Sequence, residues 1–394
     1  MKIKGFKSAA VKAGIKYENR LDLGLIYSEA PAVTAGIFTT NQVKAAPVML
    51  DMERLLQGRA QAILVNSGNA NACTGKQGME AALSISKMLA EPLGIDEAMI
   101  QLASTGVIGE ALNLKAFETS IPELVQDLSE DNFGQVAQAM MTTDTVAKLV
   151  HKTAAIGGKE INFVGMAKGS GMIMPNMATM LAFVLTDAQI GFPALHKSLV
   201  NANECTFNRI TVDGDTSTND MVLIMASGEA ENSWIDDETI EEQEEFQHHL
   251  EIVLKELAMM IVADGEGASK AVTIRVCGAK EDRDALRIAR EVANSKLVKT
   301  AFFGEDANWG RIMAVVGRAG VKIYPERIDI AFGDVLLVKN GVFAGKEAEL
   351  AASRILKQPK FSVIIDLKDG VGCEEIYTCD LSVDYVKINA DYRS

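Results

Sequence analysis

The chain has 394 residues, of which 48% are hydrophobic and 23% charged, the composition of a folded chain long enough for two or three domains. Asp and Glu outnumber Lys and Arg by 53 to 39, and the net charge of −14 argues against nucleic acid as a partner. No apolar run approaches the roughly 18 residues that span a bilayer, and the lysine-interrupted N-terminus lacks the apolar stretch of a signal peptide. No membrane contact and a cytoplasmic location are therefore expected.

The first 50 residues alternate short β-like runs with turns, as in LDLGLIYSEAPAVTAGIFTTN. Residues 62–65 form an apolar strand that runs into NSGNANACTG, a loop rich in Asn and Gly. Residues 76–91 have helical spacing, and Ser104-Thr105-Gly106 marks a strand-to-turn junction. Residues 129–141 read as a helix leading into TTDT. KGSGMIMPNMATMLAFVLTD, residues 168–187, then joins a Gly-rich loop to an apolar strand at 180–185. A helix over 191–202 precedes the polar loop FNRITVDGDTSTND and the strand VLIMASG. The longest predicted helix, 236–263, repeats Phe246, Leu250, Val253, Leu254, Leu257 and Ile261, with Ser233 as its N-cap and Gly265 and Gly267 as stops. A helix over 284–300 follows. Beyond residue 322 the pattern is β, with a hairpin at Asn340-Gly341, a helix at 346–356 and more β. The class is α+β with mixed sheets, and a boundary near residue 280 separates domains 1–280 and 281–394.

The five cysteines are scattered with no CxxC pair, which fits buried thiols better than a disulfide framework or a zinc site. The chain has four histidines, two of them in an acidic helix, so a histidine base is scarce. That scarcity draws attention to Thr179, at the start of a strand after a loop containing Gly169, Gly171 and Pro175. A threonine there ordinarily packs its methyl group and bonds a neighbour. It has one other use that needs no histidine. Its hydroxyl attacks the preceding carbonyl, the Ala178–Thr179 bond breaks, and the freed α-amine becomes the base for that hydroxyl. An α-amine of pKa roughly 7.7–8.0 can accept a proton near neutral pH. The fragments would be 1–178 and 179–394.

KGSGMIMPNMATMLAF is similar to the self-cleavage signature of the ornithine acetyltransferase family, the ArgJ-type glutamate N-acetyltransferases of arginine biosynthesis. FTTNQVKAAPV, VNSGNANACTG, ASTGVIGE, MMTTDT, ITVDGDTSTND, VADGEGASK, DANWGRI and INADYRS resemble the family's other blocks in the family's order, over essentially the whole chain. The resemblance implies a layered α/β/β/α core with a smaller C-terminal α+β domain whose tail returns to the active site. It implies that Thr179 is both cleavage residue and acyl-accepting nucleophile, with Thr105 and Gly106 as the oxyanion hole. Thr142, Lys168, Thr179, Glu266, Asn389 and Ser394 are implied as substrate contacts. Lys168 suits a substrate α-carboxylate and Glu266 an ornithine ammonium, although alone they read as a surface lysine and a solvated loop residue. The implied reaction moves acetyl from N2-acetyl-L-ornithine to L-glutamate by a ping-pong route, in an α2β2 assembly. It needs no metal or other cofactor. Acetyl-CoA serves some members as a further donor, which the sequence does not decide.

NSGNANACTG reads as a structural or pocket-lining loop, with an anion-binding nest as the alternative. Cys73 has no histidine near it in sequence to make it a nucleophile. Asp213 and Asp215 suggest a metal, but local capping of turns is the reading taken. Met174, Ser394 and the proline-free ALNLK at 111–115 depart from the family pattern, and bear on substrate range. A related self-cleaving amidase or aminopeptidase, and a binding protein that has lost cleavage, are the alternatives.

Overall fold

A computed structural model describes residues 2–174 and 180–391. The chain divides into two units, one formed by residues 1–208, 215–261 and 393–394, the other by 209–214 and 262–392. Each is built on a mixed sheet flanked by helices, so the α+β class holds.

The first sheet contains β1 (Phe6–Val11), β2 (Leu23–Phe38), β3 (Arg59–Asn66), β4 (Ile100–Ser104), β5 (Lys148–Ile156), β6 (Lys159–Lys168), β7 (Leu181–Thr186) and β9 (Met221–Ala226). The intervening β8 (Ile210–Thr211) belongs to the second sheet. The order is β4-β3-β2-β9-β7-β6-β5, with β1 also on β2. Strand β2 is 16 residues long. Its first half pairs with β1 and β3, and its second half with β9, past a register shift between Tyr27 and Ala32. This one strand therefore joins the two halves of the sheet.

Alternation then decides the layers. Ile63 and Val65 from one half share an apolar core with Leu181, Phe183, Met221 and Leu223 from the other. The opposite face of β1–β4 offers Leu25, Leu64 and Leu102 to Ile85, Leu89, Phe117 and Ile121. Those four lie on helices α2 (Gly75–Leu93) and α3 (Leu114–Gln126), which follow α1 (Ala46–Arg54) and precede α4 (Phe133–Ala139). On the far side of the other half, Phe163 meets Phe246 with ring centroids 5.2 Å apart. Phe246 belongs to α6 (Ile240–Ala263), which follows α5 (Phe192–Cys205). The order is helix, half-sheet, half-sheet, helix. β7 is buried on both faces, which explains its unbroken apolar run.

The second sheet contains β10 (Ala271–Ala279), β11 (Asp329–Phe332), β12 (Val335–Lys339), β13 (Val342–Phe343), β14 (Lys360–Asp366) and β15 (Gly372–Cys379), in the order β13-β12-β11-β14-β10-β15-β8. Helices α7 (Asp282–Ala293), α8 (Lys296–Phe303), α9 (Trp309–Arg318), α10 (Lys346–Leu356) and α11 (Val383–Asp391) complete the unit.

Several expectations are corrected. Strand β10 belongs to the second sheet. Ser233 is not the cap of α6. Asp236 accepts the N–H groups of Glu238 and Thr239, folding the preceding residues into turns and delaying the helix to Ile240. The single helix expected over 284–300 is two, because the Ser295 hydroxyl accepts the Val298 N–H and starts α8 afresh. The cysteines are not all buried thiols. Cys277 and Cys373 are joined by a disulfide between neighbouring strands β10 and β15, 96 residues apart in sequence, and Cys73 and Cys205 are exposed.

Phe246 is fully buried against Phe163. Phe246→Ala is expected to lower unfolding free energy by about 3–5 kcal/mol through the cavity it leaves, measured by urea denaturation.

Candidate active site

In the first unit the site is assembled at the ends of β4 and β6. β4 is a sheet edge, and Asp51 of α1 caps that edge by accepting the Leu102 N–H at 2.9 Å. The chain leaves β4 at Ser104. Thr105 donates its N–H to the Asn66 carbonyl at 3.0 Å, and Val107 its own to the Gly68 carbonyl at 3.3 Å. Gly106 adopts a φ of +133° there, and a Cβ on it would lie 2.3 Å from the Gly68 carbonyl carbon. No other residue fits this turn.

The asparagines of NSGNANACTG are spent on the backbone of this loop and its neighbours. Asn66 Nδ2 donates to the Asn69 carbonyl, and the Ser104 hydroxyl to Asn66 Oδ1. Asn71 Nδ2 donates to the Gly78 carbonyl. Asn219 reaches in from the loop before β9, with Nδ2 bonded to the carbonyls of Ala70 at 2.6 Å and Ser104 at 2.8 Å. These bonds support the structural reading of that loop.

Lys168 closes β6 and is 9% exposed, so it is no surface lysine. Its Nζ donates to Thr105 Oγ1 at 3.1 Å and Thr142 Oγ1 at 3.0 Å. Three expected site residues from three segments thus meet on one ammonium. Because each hydroxyl accepts from Lys168, each keeps its own proton for another acceptor.

Asp144 organises this corner. Its Oδ1 accepts from Lys148 Nζ and the Gly169 N–H, both at 2.7 Å, and Oδ2 accepts the Thr142 N–H at 3.0 Å. The Asp144 and Lys148 side chains are both fully buried. Burial pushes the Asp144 carboxyl up, but Lys168 and Lys148 outweigh it and hold the pKa at about 2. Asp220, 2% exposed, lies where the chain enters β9. Burial raises its carboxyl well above the usual carboxylate range, against the opposing effects of Ser217, Lys168 and the Met180 N–H. The carbonyl of Met180 accepts the Met221 N–H at 3.0 Å, so the entry to β7 is tied to β9.

The second unit holds another pair of expected residues. Asn389 Nδ2 on α11 donates to Glu266 Oε2 at 2.7 Å, and Glu266 is 8% exposed rather than solvated. The turn carrying Glu266 depends on Gly267, at a φ of +65°, where a Cβ would lie 2.5 Å from the Tyr385 nitrogen. The Tyr385 hydroxyl also bonds Asp213 Oδ2 at 3.4 Å, so the C-terminal helix is fastened in its unit. Ala178, Thr179 and Ser394 lie outside the described residues. Among the described residues no group of three or more His, Cys, Asp or Glu is placed to hold a metal.

Sequence reasoning passed over Asp144, Lys148, Asn219 and Asp220. The signal was present in TTDT and TSTND, polar motifs entering apolar strands.

The sequence model of the ArgJ family matches residues 7–394. The chain belongs to the ArgJ family. It is 62% identical over 394 residues to the arginine biosynthesis bifunctional protein ArgJ of Desulfotalea psychrophila, and 52% identical to that of Geobacter sulfurreducens, with all of each chain covered. The crystal structure of arginine biosynthesis bifunctional protein ArgJ from Bacillus halodurans is similar at a TM-score of 0.52 and 43% identity, covering 54% of this chain and 100% of that one. The ArgJ-type fold expected from the resemblance is thus met at the level of family and fold.

Asp144→Asn removes the counter-charge of buried Lys148, and is expected to cost about 3–5 kcal/mol in urea unfolding at neutral pH. The folded pKa of about 2 lies below the ordinary 3.8. The stability Asp144 supplies is therefore full above 3.8 and lost as pH falls through about 2. The variant's unfolding free energy is expected to lack that part of the acid dependence.

Proposed function

We propose that the chain is a glutamate N-acetyltransferase of arginine biosynthesis that works through an acetyl-Thr179 intermediate. The observation that carries this is the buried Lys168 ammonium holding the hydroxyls of Thr105 and Thr142. Lys168 pairs in register with Leu181, two residues after Thr179. That pairing supports a shared role for the segment after Thr179 and the Lys168 hydroxyl partners.

In this reading the chain cuts itself before Thr179. The Thr179 hydroxyl attacks the acetyl carbonyl of N2-acetyl-L-ornithine, and its own amine takes the proton. The Thr105 hydroxyl and the Gly106 N–H stabilise the oxyanion, a donor of this kind being worth roughly 10²–10³ in rate. The tetrahedral adduct collapses, L-ornithine leaves with the proton, and L-glutamate enters and takes the acetyl group. Lys168 serves the α-carboxylate shared by both substrates, and Glu266, Asn389 and Ser394 complete their recognition. The domains assigned to this work are 1–280 for the chemistry and 281–394 for the tail that returns to it. Two copies of each fragment form an α2β2 enzyme in the cytoplasm. Acetyl-CoA is an additional donor in this reading, in keeping with relatives named as bifunctional. No cofactor is required. Family membership favours the transferase over an aminopeptidase.

Denaturing mass analysis with N-terminal sequencing is expected to give two fragments, the second beginning TMLAFVLTD. Thr179→Ala is expected to stay in one piece and transfer no acetyl. Release of free acetate in place of acetylglutamate would falsify the transferase reading, and an uncut active wild type would remove the proposed base. Thr105→Val is expected to lower kcat by about 10²–10³ with little change in KM, measured as acetyl transfer from N2-acetyl-L-ornithine to glutamate.

A further inference from the structure

Residues 12–21, KAGIKYENRL, have no place in the steps above, yet they are built onto the candidate site. The loop hangs from Asp22, which is fully buried and accepts the N–H groups of Ala13 at 2.6 Å and Ile15 at 2.7 Å. The Asp22 carbonyl accepts the Ser67 N–H at 2.9 Å, at the start of the loop that carries Gly68. The Lys16 stem lies against Gly68, where an added Cβ would come within 2.8 Å of the Lys16 Cβ. Arg20 reaches the second hydroxyl-bearing segment, its guanidinium donating to the carbonyls of Met141 and Thr142. One loop therefore touches both the turn built on Gly68 and the segment carrying Thr142. Its charge runs against that of the chain. Lys12, Lys16 and Arg20 stand close together in a protein of net charge −14. Lys12, Asn19 and Arg20 line a cavity of about 690 Å³ with Gln135 and Gln138 of α4, and among the described residues no carboxylate lines it. Glu18, the loop's one acidic residue, is exposed and absent from that lining. Tyr17 is 37% exposed, with the Arg20 guanidinium 5.3 Å and the Lys16 ammonium 5.7 Å from its ring centroid.

A cavity of this size suits a small molecule rather than a protein chain. Its cations call for an anion, and guanidinium and ammonium donors match phosphate oxygens. An exposed ring with cations at its side offers a stacking face for a base. We propose that residues 12–21 form the subsite for the nucleotide end of an acyl-CoA donor, with Lys12, Lys16 and Arg20 taking its phosphates and Tyr17 its base. This rests on the reading of acetyl-CoA as an additional donor. The acetyl group of that donor hangs on a long flexible arm, so recognition of its nucleotide can stand apart from the reacting carbonyl. N2-acetyl-L-ornithine carries neither phosphate nor base and needs none of these contacts. The loop takes no part in the chemistry. It separates one donor from the other.

The test compares two donors, acetyl-CoA and N2-acetyl-L-ornithine, with L-glutamate as acceptor, in wild type, the double variant Lys12→Gln/Lys16→Gln, and Tyr17→Ala. All three side chains are exposed, so both variants are expected to fold as wild type does. In each, KM for acetyl-CoA is expected to rise by about tenfold or more with kcat little changed, because binding common to ground and transition states is lost. Both constants for N2-acetyl-L-ornithine are expected to stay within about twofold of wild type. Variants that use acetyl-CoA as wild type does overturn the proposal. So does an equal fall with both donors, since the loop would then be shaping the common site. A wild type that transfers from N2-acetyl-L-ornithine but not from acetyl-CoA overturns the proposal and leaves the transferase reading standing. A wild type inactive with both donors overturns that reading, and calorimetric titration with coenzyme A then decides the subsite. Binding that the double variant loses supports it, and absent binding, or binding that the double variant keeps, overturns it.

Discussion

Two lysines are buried beside one carboxylate, and the arrangement of the first unit's site follows from that. Lys148 and Lys168 both lie at or below 9% exposure, and Asp144 interacts with both. Burying an ammonium alone is prohibitive, so Asp144 must hold its place. It does so with three bonds to elements that differ in sequence: the Lys148 ammonium, the Gly169 N–H and the Thr142 N–H. Those bonds fix the exit from β6, the entry to β5 and the segment carrying Thr142. Counted as charges, one carboxylate between two ammoniums leaves an excess of one positive charge. The same field acts on Asp220, whose burial opposes ionisation and whose neighbourhood to Lys168 favours it.

The fold was readable where local chemistry alone decides it. Helix α10 and the Asn340-Gly341 hairpin agree with the sequence pattern because a turn with positive φ at both residues requires those residue types. Strands β7 and β9 were readable as apolar runs, since both are buried on each face. The α7–α8 break was missed because apolar spacing continues through it, and a single serine cap overrides that spacing. Helix α9 was missed because Gly310 and Gly317 dilute its pattern, although Asn308 caps it. The Cys277–Cys373 pair was invisible because it depends on strand order, which no local pattern encodes.

The site was readable to a different depth. Lys168, Thr105 and Thr142 were reached through the family resemblance, and their meeting at one Nζ gives that assignment a geometry. Asp144 and Asp220 were not reached. Both lie in the hydroxyl-rich motifs TTDT and TSTND, where an acidic residue is as much at home in a turn as in an active site. What separates the two cases is burial, a tertiary property. An exposed turn aspartate and a buried carboxylate with a charged neighbour have the same sequence signature.

A nucleophile that carries its own base faces a particular difficulty. A histidine base is held by a side chain packed on both sides, whereas a chain terminus is held by one peptide link and tends to fray. In the proposed reading, the residue after Thr179 must therefore be held firmly. Met180 is 3% exposed, its carbonyl accepts the Met221 N–H, and Leu181 pairs at once with both Lys168 and Met221. The strand beyond is the parallel neighbour of β9 and the antiparallel neighbour of β6, the least mobile position a sheet offers. Side chains on rigid strands are placed more accurately than those on loops, and accuracy of this order governs how often a hydroxyl meets a carbonyl in productive geometry. A chain poor in histidine can thus obtain a positioned base from a new terminus, provided the first bonded residue of that terminus is locked between two strands.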